Sequence, residues 1–213
     1  MLSNLGDSAH DAEHIYRVLN NALLIAQQEP EADMDIVIAA CLLHDVGRPD
    51  QLADASLCHA QVGSQKALAF LLEQGFPESF ARHVSSCVRT HRFRKSMPPE
   101  SLEAKILFDA DKLDVTGAIG IARTLVYKGT VVAPLYRRNE DGSIDNGEQE
   151  LGDSFFREYK FKLEKLYDRF YTQAGAAMAQ QRKDAAVSFY ESLYREVNGG
   201  YTAGQEQLDT LLK

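Results

Sequence analysis

The sequence predicts an all-α protein, a helical bundle with a C-terminal helical extension. Two observations predict it: apolar residues recur at threes and fours over most of the 213 residues, and helix caps and Gly or Pro stops separate the periodic segments. Ser8 and Asp11 form an S-x-x-D capping box, so a first helix is expected from about Ala9, with Ile15, Val18, Leu19, Ala22 and Ala26 on its apolar face and Pro30 beyond its end. A second begins after Asp33 or Asp35 and runs through IVIAACLLHD. It is apolar on every side, which predicts a central buried helix, and Gly47 and Pro49 should stop it. A third is expected over His59 to Glu73, ended by Gly75, and a fourth from Pro77 to about Thr90. A fifth follows Pro98 and Pro99, with Ile106, Leu107, Leu113 and Val115 on its apolar side, and is expected to continue through GAIGIARTLVY. Lys128 to Asp153 then loses periodicity and collects Gly129, Pro134, Gly142, Gly147 and Gly152, which reads as a functional or disordered loop with room for a short hairpin at TVVAPLY. A long helix should follow, with Phe155, Tyr159, Leu163, Leu166, Tyr167 and Phe170 on one face. A last helix is expected from Asp184 to Val197, closed by Asn198, Gly199 and Gly200, which leaves the final residues peripheral.

The composition narrows the class. Apolar residues make up 45%, enough for a sizeable core in one domain or one domain with an added lobe. The net charge of -8 argues against binding a nucleic acid polymer, which depends on Lys and Arg neutralising phosphates. A single nucleotide needs only local positive charge, and a divalent metal can supply it. The three cysteines, Cys41, Cys58 and Cys87, have no zinc-knuckle or redox spacing and read as reduced thiols of a cytoplasmic protein. The first residues lack the basic start and apolar run of a signal peptide, and the longest apolar run, Ile36 to Leu43, is too short to span a bilayer. No membrane partner is expected; the apolar face of the late helices leaves room for a homodimer.

Chemistry concentrates in histidines and aspartates. His44 and Asp45 end the most apolar segment of the chain. Burying an imidazole and a carboxylate there costs several kcal/mol unless each is paired or ligated. DADKLD places Asp109, Asp111 and Asp114 on another apolar helix, with Asp111 and Asp114 one turn apart. His10, His14 and Arg17 form a polar stripe on the first helix. Mixed nitrogen and oxygen ligands of this kind favour Mn, Fe, Co, Ni or Zn over Ca, with Mg also a candidate, and leave positions for an activated water.

The order His14, then LLHDVG with His44 and Asp45, then DADKLD with Asp111, resembles the H…HD…D signature of the HD-domain superfamily. HDAEHIYRV and DADKLDVTGAIGIART are similar to the HDxxHxxRV and DADRLDALGAIGIART stretches of small bacterial HD hydrolases, over roughly residues 8 to 126. The resemblance implies an HD-domain helical fold, with residues 1–126 as the core carrying the metal site and 127–213 as the long loop and C-terminal helices packed on the same domain. It implies that His14, His44, Asp45 and Asp111 hold a divalent ion, and that the protein hydrolyses a phosphate ester or anhydride, most often of a nucleotide. It departs from the nucleotide pyrophosphohydrolases of that subfamily in carrying His59 and His91, which with a bridging Asp45 are expected to hold a second ion, as in two-metal HD proteins.

Further roles follow from this reading. Asp45 and Asp114 are expected at the reacting centre, with Asp114 relaying a proton; Arg17 and Lys112 are expected to face the phosphoryl group, with Arg48 and Arg123 as additional cations. His83 reads as solvated, and the Arg89, Arg92, Arg94 and Lys95 cluster as a solvated rim able to steer an anion. Tyr136, Arg137 and Arg138 are placed to close over a substrate from the loop. Two other readings stand beside hydrolysis: a diiron HD-type oxygenase using the extra histidines, and a non-catalytic HD module that senses a ligand.

Overall fold

The computed structural model describes residues 12–92, 97–149 and 152–212. Among these the protein is all-α, and its one extended pairing is an isolated antiparallel bridge between Arg138 and Ile144. The expected capping box at Ser8 and Asp11, and His10, Arg94 and Lys95, lie outside the described residues. The chain divides into two compact units, residues 1–114 with 169–178, and residues 115–168 with 179–213.

In the first unit, α1 (Ala12–Ala26) buries Ile15, Val18, Ala22 and Ile25. The central helix is α2 (Met34–Leu43), which packs against α1, α5 and α6. Its N-terminus is capped by the Asp33 side chain, which accepts from the amides of Asp35 and Ile36. The Asp33 amide in turn donates to Glu103 of α6 at 3.0 Å. α2 ends at Leu43, ahead of Gly47 and Pro49, and Pro49 lies in the first turn of a new short helix, α3 (Arg48–Ala53), where its missing N–H costs nothing. α4 (His59–Glu73) and α5 (Glu78–Thr90) pack on each other, and α6 (Leu102–Leu113) completes the bundle. His83, expected in solvent, is one-third exposed and also lies 3.0 Å from the buried Glu103 carboxylate.

The first acid of DADKLD, Asp109, is structural. It accepts from the amides of Tyr171 and Thr172 at 2.9 and 2.7 Å and from the Thr172 hydroxyl. Thr172 then caps α9 (Gln173–Leu211) by accepting from the Gly175 amide. A Cβ at Gly175 would sit 2.8 Å from Asp109 Oδ2, so the close approach requires glycine.

In the second unit, α7 (Gly117–Thr130) is a separate helix, where the sequence predicts one continuous helix through GAIGIARTLVY. Thr116 is extended and Gly117 takes a φ of +60°, a conformation that glycine adopts without strain. The expected hairpin at TVVAPLY is absent: α7 runs on to Thr130, and Val132 then takes a left-handed φ of 56°. The aromatic stripe starting at Phe155 keeps its predicted buried face, but on a short α8 (Phe155–Phe161) and a 3₁₀ turn (Leu163–Lys165) rather than one long helix. Conversely, Asn198, Gly199 and Gly200 do not end a helix, because α9 continues to Leu211. A Cβ at Gly199, Gly200 or Gly204 would touch nothing, so these glycines cost helix propensity alone, about 1 kcal/mol each.

Candidate metal centre

The centre is assembled largely from helix ends. The last carbonyls of a helix have no intrahelical donor. His44 caps α2 and His91 caps α5, and each turns Nδ1 back to the carbonyl three residues earlier, to Cys41 at 2.7 Å and to Val88 at 2.6 Å. His59 is the first residue of α4, with Nδ1 2.5 Å from the Gln51 side-chain oxygen. His14 lies on the buried face of α1, with Nδ1 2.7 Å from Asp114 Oδ2. Carbonyl and carboxylate oxygens only accept, so each Nδ1 must carry a proton, and in the neutral ring the lone pair is on Nε2.

These lone pairs converge. The Nε2 atoms of His14 and His44 lie 3.3 Å apart, and so do those of His59 and His91. Neither pair can be a hydrogen bond if neither nitrogen bears a proton. Between the pairs stands Asp45, 1% exposed. Its Oδ2 lies 3.7 Å from His14 Nε2 and 3.7 Å from His44 Nε2, and its Oδ1 lies 3.5 Å from His59 Nε2 and 3.7 Å from His91 Nε2. Asp45 Oδ2 is buried without a hydrogen-bond partner. A buried orphan carboxylate oxygen facing bare imidazole nitrogens is a costly arrangement in the absence of a cation. The donors therefore fit metal ions: His14, His44 and Asp45 form one buried group able to hold an ion, and Asp45, His59 and His91 form another. Asp111 borders the first, its Oδ1 3.6 Å from His14 Nε2, and is the most exposed of the acids around it.

Electrostatics agree with ligand protonation states. Burial lowers His44 to about 4, and burial with the Arg48 guanidinium lowers His59 to about 2, so both rings are neutral at physiological pH. Burial alone would raise the Asp45 carboxyl; the charge His44 gains once acid protonates it, with the Arg48 guanidinium, outweighs burial and lowers the group well below the usual carboxylate range. The same balance, with His14 and His44 foremost, keeps Asp111 well below the usual carboxylate range.

Of the other sequence-predicted residues, Asp114 is buried and binds Arg17 through two bonds of 2.8 and 3.1 Å while receiving His14. Arg48 donates from Nε to Asp45 Oδ1 at 3.1 Å. Lys112 carries its ammonium over the Phe108 ring, 4.9 Å from the centroid. Arg137 donates to the Asp153 carbonyl, Arg138 covers the Tyr201 ring at 4.3 Å, and Tyr136 lies beside Phe156, all within the second unit. Sequence reasoning missed Gln51 and Gly47. A Cβ at Gly47 would fall 2.3 Å from the His59 carbonyl oxygen and 2.6 Å from the Gly63 amide nitrogen. The close approach of two helices marks this glycine, and it leaves no trace in local periodicity.

A helical bundle with such a histidine and aspartate centre defines a metal-site protein of the HD type, and the comparisons agree. The HD domain family model matches residues 11–116. YpgQ of Bacillus subtilis (strain 168) is 31% identical over 199 residues, covering 90% of this chain and 86% of its own. The structure of B. subtilis YpgQ in complex with ADP superposes with a TM-score of 0.69 at 28% identity, over 90% of this chain and 92% of that one. An HD-superfamily hydrolase from Bacillus thuringiensis gives a TM-score of 0.65 at 32% identity, over 89% and 87%. The chain belongs to the HD superfamily of hydrolases.

Proposed function

We propose that the protein is a metal-dependent phosphohydrolase acting on a nucleotide or similar small phosphate ester or anhydride. The observation that carries this reading is the set of bare Nε2 atoms converging on the buried Asp45. In this reading His14, His44, Asp45 and Asp111 hold one divalent ion, and Asp45, His59 and His91 a second. A bound ion would supply a water of lowered pKa and polarise a phosphoryl oxygen.

The chain's own residues do the rest. Asp114 fixes the tautomer of His14 and holds Arg17, whose guanidinium remains one-third exposed and adds positive charge beside the group. Arg48, one-quarter exposed, adds a second guanidinium, and Lys112, near enough to Asp111 to lower it, adds an ammonium. Three cations around an acidic centre suit a phosphate-bearing ligand. That YpgQ was solved with ADP supports a nucleotide as the ligand class.

The test is hydrolysis of nucleoside mono-, di- and triphosphates by protein loaded with Mn, Co, Ni, Mg or Fe, with product analysis. Asp45→Ala should abolish both metal binding and turnover. Full activity in that variant would overturn the reading, and oxygen consumption without phosphate release would favour the oxygenase alternative.

A further inference from the structure

The oxygens of Asp45 stand in unequal surroundings. Oδ2, beside His14 and His44, is buried without a partner. Oδ1, beside His59 and His91, already accepts from the Arg48 guanidinium at 3.1 Å. We propose that Arg48 occupies the second half of the centre as an internal cation and thereby sets how many metal ions the protein holds. The inference rests on the reading of both histidine groups as metal sites.

The backbone makes Arg48 a fixed occupant. Its amide donates to the Asp45 carbonyl at 2.9 Å, and it opens α3 immediately after the close-packed Gly47. From that origin the side chain turns back over the carboxylate three residues earlier. A guanidinium is a delocalised cation that matches carboxylate geometry. An ion entering between His14 and His44 finds a carboxylate oxygen with no competitor. An ion entering between His59 and His91 must share Oδ1 with a guanidinium or displace it, and is repelled by it until it does. With the side chain one-quarter exposed, displacement toward solvent is open. The two sites therefore load in order, the His14–His44 side first and the His59–His91 side at higher metal concentration.

The experiment is a Mn titration of the full chain, followed by electron paramagnetic resonance of free Mn and by equilibrium dialysis, on wild type, Arg48→Gln and Arg48→Lys. Wild type should bind one ion tightly and a second more weakly. Arg48→Gln should strengthen the second constant on the order of tenfold, the scale of removing one nearby unit charge, and leave the first within a few-fold. Arg48→Lys, which keeps the charge, should stay close to wild type. Two ions in wild type with a second constant unchanged by Arg48→Gln would refute the role of Arg48 while leaving the two-site centre standing. Loss of both constants together in Arg48→Gln, or Arg48→Lys behaving as Arg48→Gln, would also overturn it. At most one ion in every variant would remove the second site itself, and the inference with it.

Discussion

Each imidazole of the centre is oriented by an acceptor behind it: a backbone carbonyl for His44 and His91, an amide oxygen for His59, a carboxylate for His14. The carboxylate differs from the others in carrying charge, and a charged acceptor behind a ring strengthens its hold on a metal. Asp114 also anchors Arg17, so one residue couples His14, a proposed metal ligand, to a guanidinium that is one-third exposed. Asp114→Asn keeps the shape and removes the charge. Its metal affinity should fall by about 10- to 100-fold, the usual loss for a partner behind a ligand. Isothermal titration with Mn measures this, and an affinity equal to wild type would mean that Asp114 does not tune the site.

The elements that carry these side chains meet at their ends. The C-termini of α2 and α5, which carry negative partial charge, bring His44 and His91 together, and the N-terminus of α4 brings His59. Gly47 sets the spacing between the end of α2 and the start of α4, because two backbones touch where its side chain would be. Gly47→Ala forces atoms of backbone apart, which flexible side chains cannot absorb. The variant should lose roughly 1–3 kcal/mol of stability, as overpacked sites do. It should also bind the second metal ion less well, since His59 moves away from Asp45. Denaturant unfolding together with metal titration tests both; wild-type stability would show that the helices separate freely.

At the scale of the whole molecule, stability against acid has a contribution far along the chain from the centre, in the second unit. Lys128, nearly buried, bonds Asp153 at 2.5 Å and lies 3.4 Å from Glu158. Burial would raise Glu158, but Lys162 and Lys128 outweigh it and lower the carboxyl. A lowered carboxylate stabilises the fold fully above its unfolded pKa of about 4.3 and loses that contribution as pH falls through its folded value. Lys128→Met should therefore be most destabilising near neutrality. Its melting temperature should approach that of wild type as pH drops below about 4. Melting curves across this range decide it, and a constant difference at all pH values would assign the loss to packing. No helix among the described residues is long and apolar enough to cross a membrane.

The sequence by itself determined the helical class, the central place of α2, and the order of His14, His44, Asp45 and Asp111 along the chain. Those features are local: they rest on period, caps and the cost of burying polar groups in an apolar run. The identity of the family was legible for the same reason, through short motifs in a set order. That His59 and His91 stand around Asp45 was an expectation of the motifs, and the fold supplies the distances. Tertiary structure alone decided that Asp109 pins the start of α9 while Asp111 and Asp114 turn to the centre, and that Arg48 lies on Asp45 Oδ1. It also decided where helices break, at Gly117, and where they do not, at Gly199 and Gly200. A glycine in sequence marks permission for a turn, and only the partners brought against it determine whether the turn is made.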